Sequence, residues 1–188
     1  MAHEAWQSFV DRIAWEGTAH VACEELDVPV DAARRARLDE LNAGVLATLG
    51  MLGEHSTVEP TGGDETTAAT LARIDAKVDV LLEMFNRHLP GSVQMPPRRK
   101  LRLNTRGALI GEWQPQSQQA LVLVRMHFDA CSGLPLELPG LAIAAPEGAG
   151  GFVAFDELAE GIRNGIEHLV FRQHRRQLAE SRRESRNP

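Results

Sequence analysis

Residues 64–89 read DETTAATLARIDAKVDVLLEMFNRHL. Within them Leu71, Ile74, Val78, Leu81 and Phe85 fall at alternating steps of three and four, the spacing of a coiled-coil seam. Thr67 and His88 continue the register at weaker positions. A seam this narrow cannot be hidden by one small barrel, so it asks for partner helices. Assembly, before any catalysis, is what this stretch encodes.

Upstream, Asp31 to Gly53 reads as a second helix, with Pro29 and Asp31 as start signals and Gly53 as a stop. Leu38, Leu41, Val45 and Leu52 hold a heptad register there, with Thr48 in the remaining slot. The turn-rich linker HSTVEPTGGD separates the two helices, and Asp64 with Thr67 supplies a cap for the second. Two rods, each about 35 Å long at about 1.5 Å per residue, then form an antiparallel hairpin over residues 29–90.

Downstream, Pro90, Gly91, Pro96 and Pro97 end the helix, and the period drops from about 3.6 to about 2. Leu101, Leu103 and Thr105 alternate, and so do Ala108 and Ile110. Leu121 to Phe128 reads as a strand buried on both faces. Leu134 to Ala145 is further strand material broken at Pro139-Gly140, and Gly150 to Phe155 is a last short strand. Short strands punctuated by glycine and proline predict a small antiparallel barrel over residues 91–157. A final helix begins near Asp156, with Leu158, Ile162, Ile166, Leu169, Val170 and Leu178 on one face; residues 158–188 comprise this helix and a basic tail. Residues 1–28 form an N-terminal segment whose start fits two readings. Trp6, Phe9, Val10, Ile13 and Ala14 suit a helix, whereas Phe9, Asp11, Ile13 and Trp15 suit an alternating strand.

Composition bounds the function. The 188 residues, 43% hydrophobic, can bury one domain of ordinary size with an appendage. No apolar run of about 18 residues predicts a membrane span, and MAHEAWQSFVDR lacks the pattern of a secretory signal, so the expected compartment is the cytoplasm. Cys23 and Cys131 are the only cysteines and read as ordinary reduced thiols. A net charge of −6 argues against general nucleic-acid binding, although six arginines cluster between Arg172 and Arg186.

No catalytic constellation is present: there is no G-x-S-x-G, H-E-x-x-H or phosphate loop. His168 and His174 lie on different helix faces, which is no metal site, and Asp75 and Asp79 flank Lys77 as surface ion pairs. The strongest polar cluster is Arg98, Arg99, Lys100, Arg102 and Arg106, five cations in nine residues. It could hold a phosphate or an acidic partner, or simply keep an edge strand soluble.

Three stretches together resemble a known family. LARIDAKVDVLLEMFNRHLP precedes LNTRGALIGEW, and LAEGIRNGIEHLVFRQHRRQLAESRR follows a hydrophobic strand pair. This order, from Asp31 to Arg183, is similar to the atypical, tetramer-forming branch of the PilZ family, bacterial receptors broadly associated with cyclic di-GMP. The resemblance implies an α+β fold: a six-stranded PilZ-like barrel with a C-terminal helix, plus long heptad helices that join chains into a homo-tetramer. It also favours the strand reading of Phe9 to Trp15, because such proteins can return an N-terminal strand to the barrel.

The resemblance further implies two ligand motifs, Arg-x-x-x-Arg before the barrel and Asp/Asn-x-Ser-x-x-Gly on an early strand. Gly107 matches the final glycine, but Arg102 stands where Asp or Asn belongs and Asn104 where Ser belongs. Arg98 and Arg102 have the spacing of the first motif but overlap the second, and in an extended strand they lie about 13 Å apart. The expected nucleotide site is therefore absent or altered. The leading expectation is a non-enzymatic signalling protein without a cofactor or metal, self-assembling through its heptads and presenting the barrel to a protein partner. The alternative is a true cyclic di-GMP receptor using Arg98, Arg99, Arg102 and Arg106.

Overall fold

The computed structural model describes residues 2–55, 78, 95–117, 119–145 and 150–184. Two compact units divide the chain, Met1–Met51 with Pro96–Pro188, and Leu52–Met95. In the second unit, Val78 is helical and 45% exposed; Leu71, Ile74, Leu81 and Phe85 lie outside the described residues.

In the first unit the chain begins with helix α1 (Ala2–Val10) and enters strand β1 (Trp15–Leu26). Helix α2 (Ala32–His55) follows. Then come β2 (Arg98–Asn104), β3 (Gly107–Ile110), β4 (Leu121–His127), β5 (Leu136–Ala144) and β6 (Gly151–Phe155), and helix α3 (Glu160–Glu184). The six strands close into one antiparallel barrel in the order β1-β2-β3-β6-β5-β4. The fold is α+β, as expected.

β1 closes the barrel because its twelve residues serve two partners. Its first half pairs with β2, from Trp15 opposite Leu103 to His20 opposite Arg98. Its second half pairs with β4, from His20 opposite His127 to Leu26 opposite Leu121. Closure leaves no unpaired edge for another chain to template on.

The strand expected at Phe9 to Trp15 is corrected: Phe9 is helical and the strand starts at Trp15. Trp6 and Phe9, three apart, share one helix face and meet Phe152 of β6, with ring centroids at 5.3 and 4.9 Å. Phe9 is fully buried, worth about 2–3 kcal/mol of apolar transfer. The alternation through Asp11 and Ile13 is accidental, since both residues are exposed in the connection to β1.

β5 runs unbroken through Pro139-Gly140, where a break was expected. Pro139 lies opposite Leu123 of β4, and its carbonyl accepts from Asp156 N–H just beyond the end of β6. Its missing N–H therefore faces a place where no strand partner remains. Gly140 is required next to it: a Cβ there would lie 2.3 Å from the carbonyl oxygen of Ala154.

The core is one cluster, filled by inward residues such as Val21, Leu103, Ile110, Val124, Met126 and Leu138, and continuous with both long helices. α3 contributes Ile162, Ile166, Leu169 and Val170, the helical face expected, although Leu178 is exposed and the helix begins at Glu160. α2 is capped by Asp31, whose Oδ1 accepts from Arg34 N–H at 2.7 Å. Its buried stripe is Leu38, Asn42, Val45, Leu46 and Leu49. Val45, expected at a seam between chains, thus packs in the chain's own core; Leu38 is also buried, and Leu41 is 52% exposed. The side chain of Leu52 lies outside the described residues. Buried Asn42 behaves as an extra strand partner: Nδ2 donates to the Glu137 carbonyl (2.7 Å) and Oδ1 accepts from Glu137 N–H (2.8 Å).

Candidate functional site

β2 carries most of the cation cluster, and the pleat distributes it. Arg98, Lys100 and Arg102 share one face, while Arg99 is in phase with the core residues Leu101 and Leu103. Each arginine of the strand is engaged within the protein. Arg98 donates through Nε to Thr18 Oγ1 at 3.0 Å and pairs with Asp129 at 2.5 Å. Arg99 donates to the carbonyl of Glu112, a left-handed residue at φ 56°, and to that of Gly111. Arg102 pairs with Glu16 at 3.1 Å and lies 5.4 Å over the ring of Phe9, a cation–π contact. Its buried Nε makes no aligned hydrogen bond, so the attraction to Glu16 is chiefly charge on charge.

The positions aligned with the second ligand motif hold up the fold. Asn104 is buried; its Nδ2 donates to the carbonyl of Phe9 (3.0 Å), and its Oδ1 accepts from Arg106 N–H (2.8 Å). The second bond is an Asx turn that shapes the two-residue connection Thr105-Arg106 between β2 and β3. Gly107 has no room for a side chain: a Cβ would lie 2.4 Å from the carbonyl oxygen of Val153 and 2.5 Å from the ring of Phe152. The glycine is explained by strand packing alone.

Arg106 stands apart from the other three predicted arginines. It is exposed on the β2–β3 turn, where it lines a cleft of about 440 Å³ with Arg12, Thr105, Asp156 and Arg163. Neither Arg106 nor Arg12 has a side-chain hydrogen bond or ion pair among the described residues. Asp156 is held by Arg35 at 2.7 Å, and Arg163 donates to the carbonyl of Leu158 at 3.2 Å. The predicted set Arg98, Arg99, Arg102 and Arg106 is therefore not gathered into one pocket. Arg12 and Arg163, which the sequence reading did not single out, are the ones that join Arg106. No local pattern announces them, because they are brought in by the α1–β1 connection and by α3.

Other chemistry is sparse. Among the described residues no group of histidine, cysteine and acidic side chains is arranged to hold a metal, and no helix is long and apolar enough to cross a membrane. Burial pushes the Cys23 thiol up to about 12, against the opposing charge of Arg99. A thiol so protonated is a poor nucleophile.

A closed antiparallel barrel of six strands with a helix returning to it is the architecture of a PilZ-type barrel domain. The sequence matches the family described as atypical PilZ domain, cyclic di-GMP receptor (tPilZ) over residues 46–183, and the chain belongs to that family. A comparison with the curated proteins found no significant match. Among solved structures, a protein from Xanthomonas campestris is similar in fold, with a TM-score of 0.68 at 21% identity over 95% of this chain and 97% of that one. That protein is described as a pathogenic protein with a tetrameric PilZ domain self-assembled through a helical bundle.

Proposed function

We propose that this chain is a non-enzymatic, cytoplasmic signalling protein of the cyclic di-GMP network that works as an oligomeric adaptor. Its heptad helices join copies of the chain, its nucleotide site is degenerate, and its barrel is offered to a protein partner. One observation carries the reading: Arg102, Asn104 and Gly107, the residues at the ligand-motif positions, are spent on seating α1 and packing β3 against β6. Asn104 must break two internal hydrogen bonds, and Arg102 must leave Glu16 and the Phe9 ring, before either can bind a ligand, at a cost comparable to what the ligand would return. The heptad at Leu71, Ile74, Val78, Leu81 and Phe85 supports self-association, and the tetramer of the Xanthomonas protein supports four copies.

The test is a solution mass combined with a nucleotide titration on the full chain. Light scattering is expected to give four times the 20.6 kDa of one chain, and a smaller particle for Leu71→Asp with Val78→Asp, because charge resists desolvation at the seam. Calorimetry with cyclic di-GMP is expected to give no heat. Heat that disappears in the Arg98→Ala, Arg102→Ala double variant would establish the receptor alternative in its place.

A further inference from the structure

Two hollows meet at the β2–β3 turn. The cleft of about 440 Å³ bears the guanidinium groups of Arg12, Arg106 and Arg163. Beside it lies a second, more apolar hollow of about 240 Å³, lined by Ile13, Val170 and Phe171. Arg12 and Thr105 line both, so the two adjoin. The apolar part is unusually open for its residue types: Ile13 is 51% and Phe171 56% exposed.

The charges give this surface a direction. Asp156, a carboxylate on the first hollow, is already neutralised by Arg35. That leaves three guanidinium groups against Glu157 in the arginine cleft, whereas Glu167 borders the apolar hollow. Among the described residues Arg12 and Arg106 have no side-chain partner to give up, so pairing them with an outside carboxylate breaks none of the contacts described above.

We propose that this composite surface docks an extended segment of a partner protein in which a large apolar side chain lies next to carboxylates. The apolar side chain enters the hollow at Ile13, Val170 and Phe171, and the carboxylates meet Arg12 and Arg106. A lone phosphate would use the arginines and leave the apolar half unfilled; a peptide of this kind uses both. The assignment rests on the adaptor reading above and gives that unnamed partner its chemistry.

Selection of phage-displayed random dodecapeptides on the full-length protein, followed by fluorescence anisotropy with the consensus peptide, tests this. The selected sequences should share Phe, Leu, Ile or Trp beside at least a pair of Asp or Glu residues. Arg106→Glu and Phe171→Ser should each weaken the consensus peptide about tenfold or more, Arg12→Glu likewise, and added salt should weaken it further. Arg175→Glu, an exposed change elsewhere on α3, should leave binding as it is. All these positions are exposed, and unchanged circular dichroism will verify folding. No enriched sequence, or one that binds Arg106→Glu and Phe171→Ser as tightly as the parent, overturns the proposal. So does cyclic di-GMP binding abolished by Arg106→Glu but kept by Phe171→Ser, which would give the cleft to a nucleotide. Failure of the adaptor reading shows differently, as nucleotide heat that depends on Arg98 and Arg102.

Discussion

The side-chain amide of Asn104 donates to the main-chain carbonyl of Phe9 at 3.0 Å, and this bond joins the last turn of α1 to the end of β2. The Phe9 carbonyl is one of those a helix leaves open at its C-terminus, and Arg12 N–H reaches the same oxygen at 3.3 Å. Since the other end of the Asn104 side chain shapes the β2–β3 turn, one residue fixes both the helix and the hairpin. A shorter serine could not span both bonds.

Asn104→Ala is expected to destabilise the protein by about 1–3 kcal/mol, because it takes the stronger of two donors from the Phe9 carbonyl and leaves the Arg106 N–H of the turn without its acceptor. Urea denaturation read by circular dichroism checks this. The more pointed variant restores the family motif with Arg102→Asp and Asn104→Ser. It should lose stability too, since a carboxylate then faces Glu16 across β1–β2, and it should still show no heat with cyclic di-GMP while α1 stays seated. Nucleotide binding gained by this variant would mean that α1 yields readily and that the motif alone limits binding.

Gly107→Ala is expected to cost about 1–3 kcal/mol, the usual penalty of overpacking. The added methyl would overlap backbone at Val153, and backbone cannot rotate away as a side chain can. A urea midpoint equal to that of the parent would show that β3 and β6 separate at no cost.

What could be read from the sequence follows from how local each signal is. β2 and β4 announced themselves because Leu101 with Leu103, and the unbroken run at Leu121–Phe128, need only a period and an apolar side chain. β1 was hidden because its inward residues are small or interrupted: Ala19, Val21 and Cys23 alternate with Thr18, His20 and Ala22, a weak contrast. What makes it a strand is its pairing with β2 and β4, roughly a hundred residues on, which no local window contains. The same limit governs the site. Arg106 was in view as part of a dense cluster, whereas Arg12 and Arg163 acquire meaning only when the barrel closes and brings three distant segments together. In α2 the heptad reading selected Leu38, Leu41 and Val45; Leu38 and Val45 are buried, but Leu41 is exposed, and the burial on the barrel side runs instead through Asn42, Leu46 and Leu49.

Arg172 of α3 reaches across to α2, where Nη1 donates to the Gly50 carbonyl and Nη2 to that of Leu49, each at 2.6 Å. One planar fork thus binds successive carbonyls, a geometry that an ammonium cannot copy. Arg172→Lys should therefore lose about 1–2 kcal/mol, nearly as much as Arg172→Met, by the strength of charge-assisted bonds. Urea denaturation of the two variants side by side decides it; a lysine variant as stable as the parent would mean that charge alone suffices there.

Cys23 makes stability depend on alkaline pH. Its thiol ionises near 9.0 when unperturbed, but burial in β1, opposed by Arg99, moves it to about 12 in the folded chain. The folded state therefore holds a proton that the unfolded state releases first. This contribution is intact below pH 9 and is lost as pH rises from about 9 through about 12. Denaturation midpoints of the reduced protein should accordingly fall across that window, and Cys23→Ala should fall less steeply because it has no proton to lose. At pH 8 the native thiol should also react with iodoacetamide more slowly than after unfolding. Parallel pH profiles for the parent and Cys23→Ala would show that Cys23 ionises no later in the barrel than in the open chain.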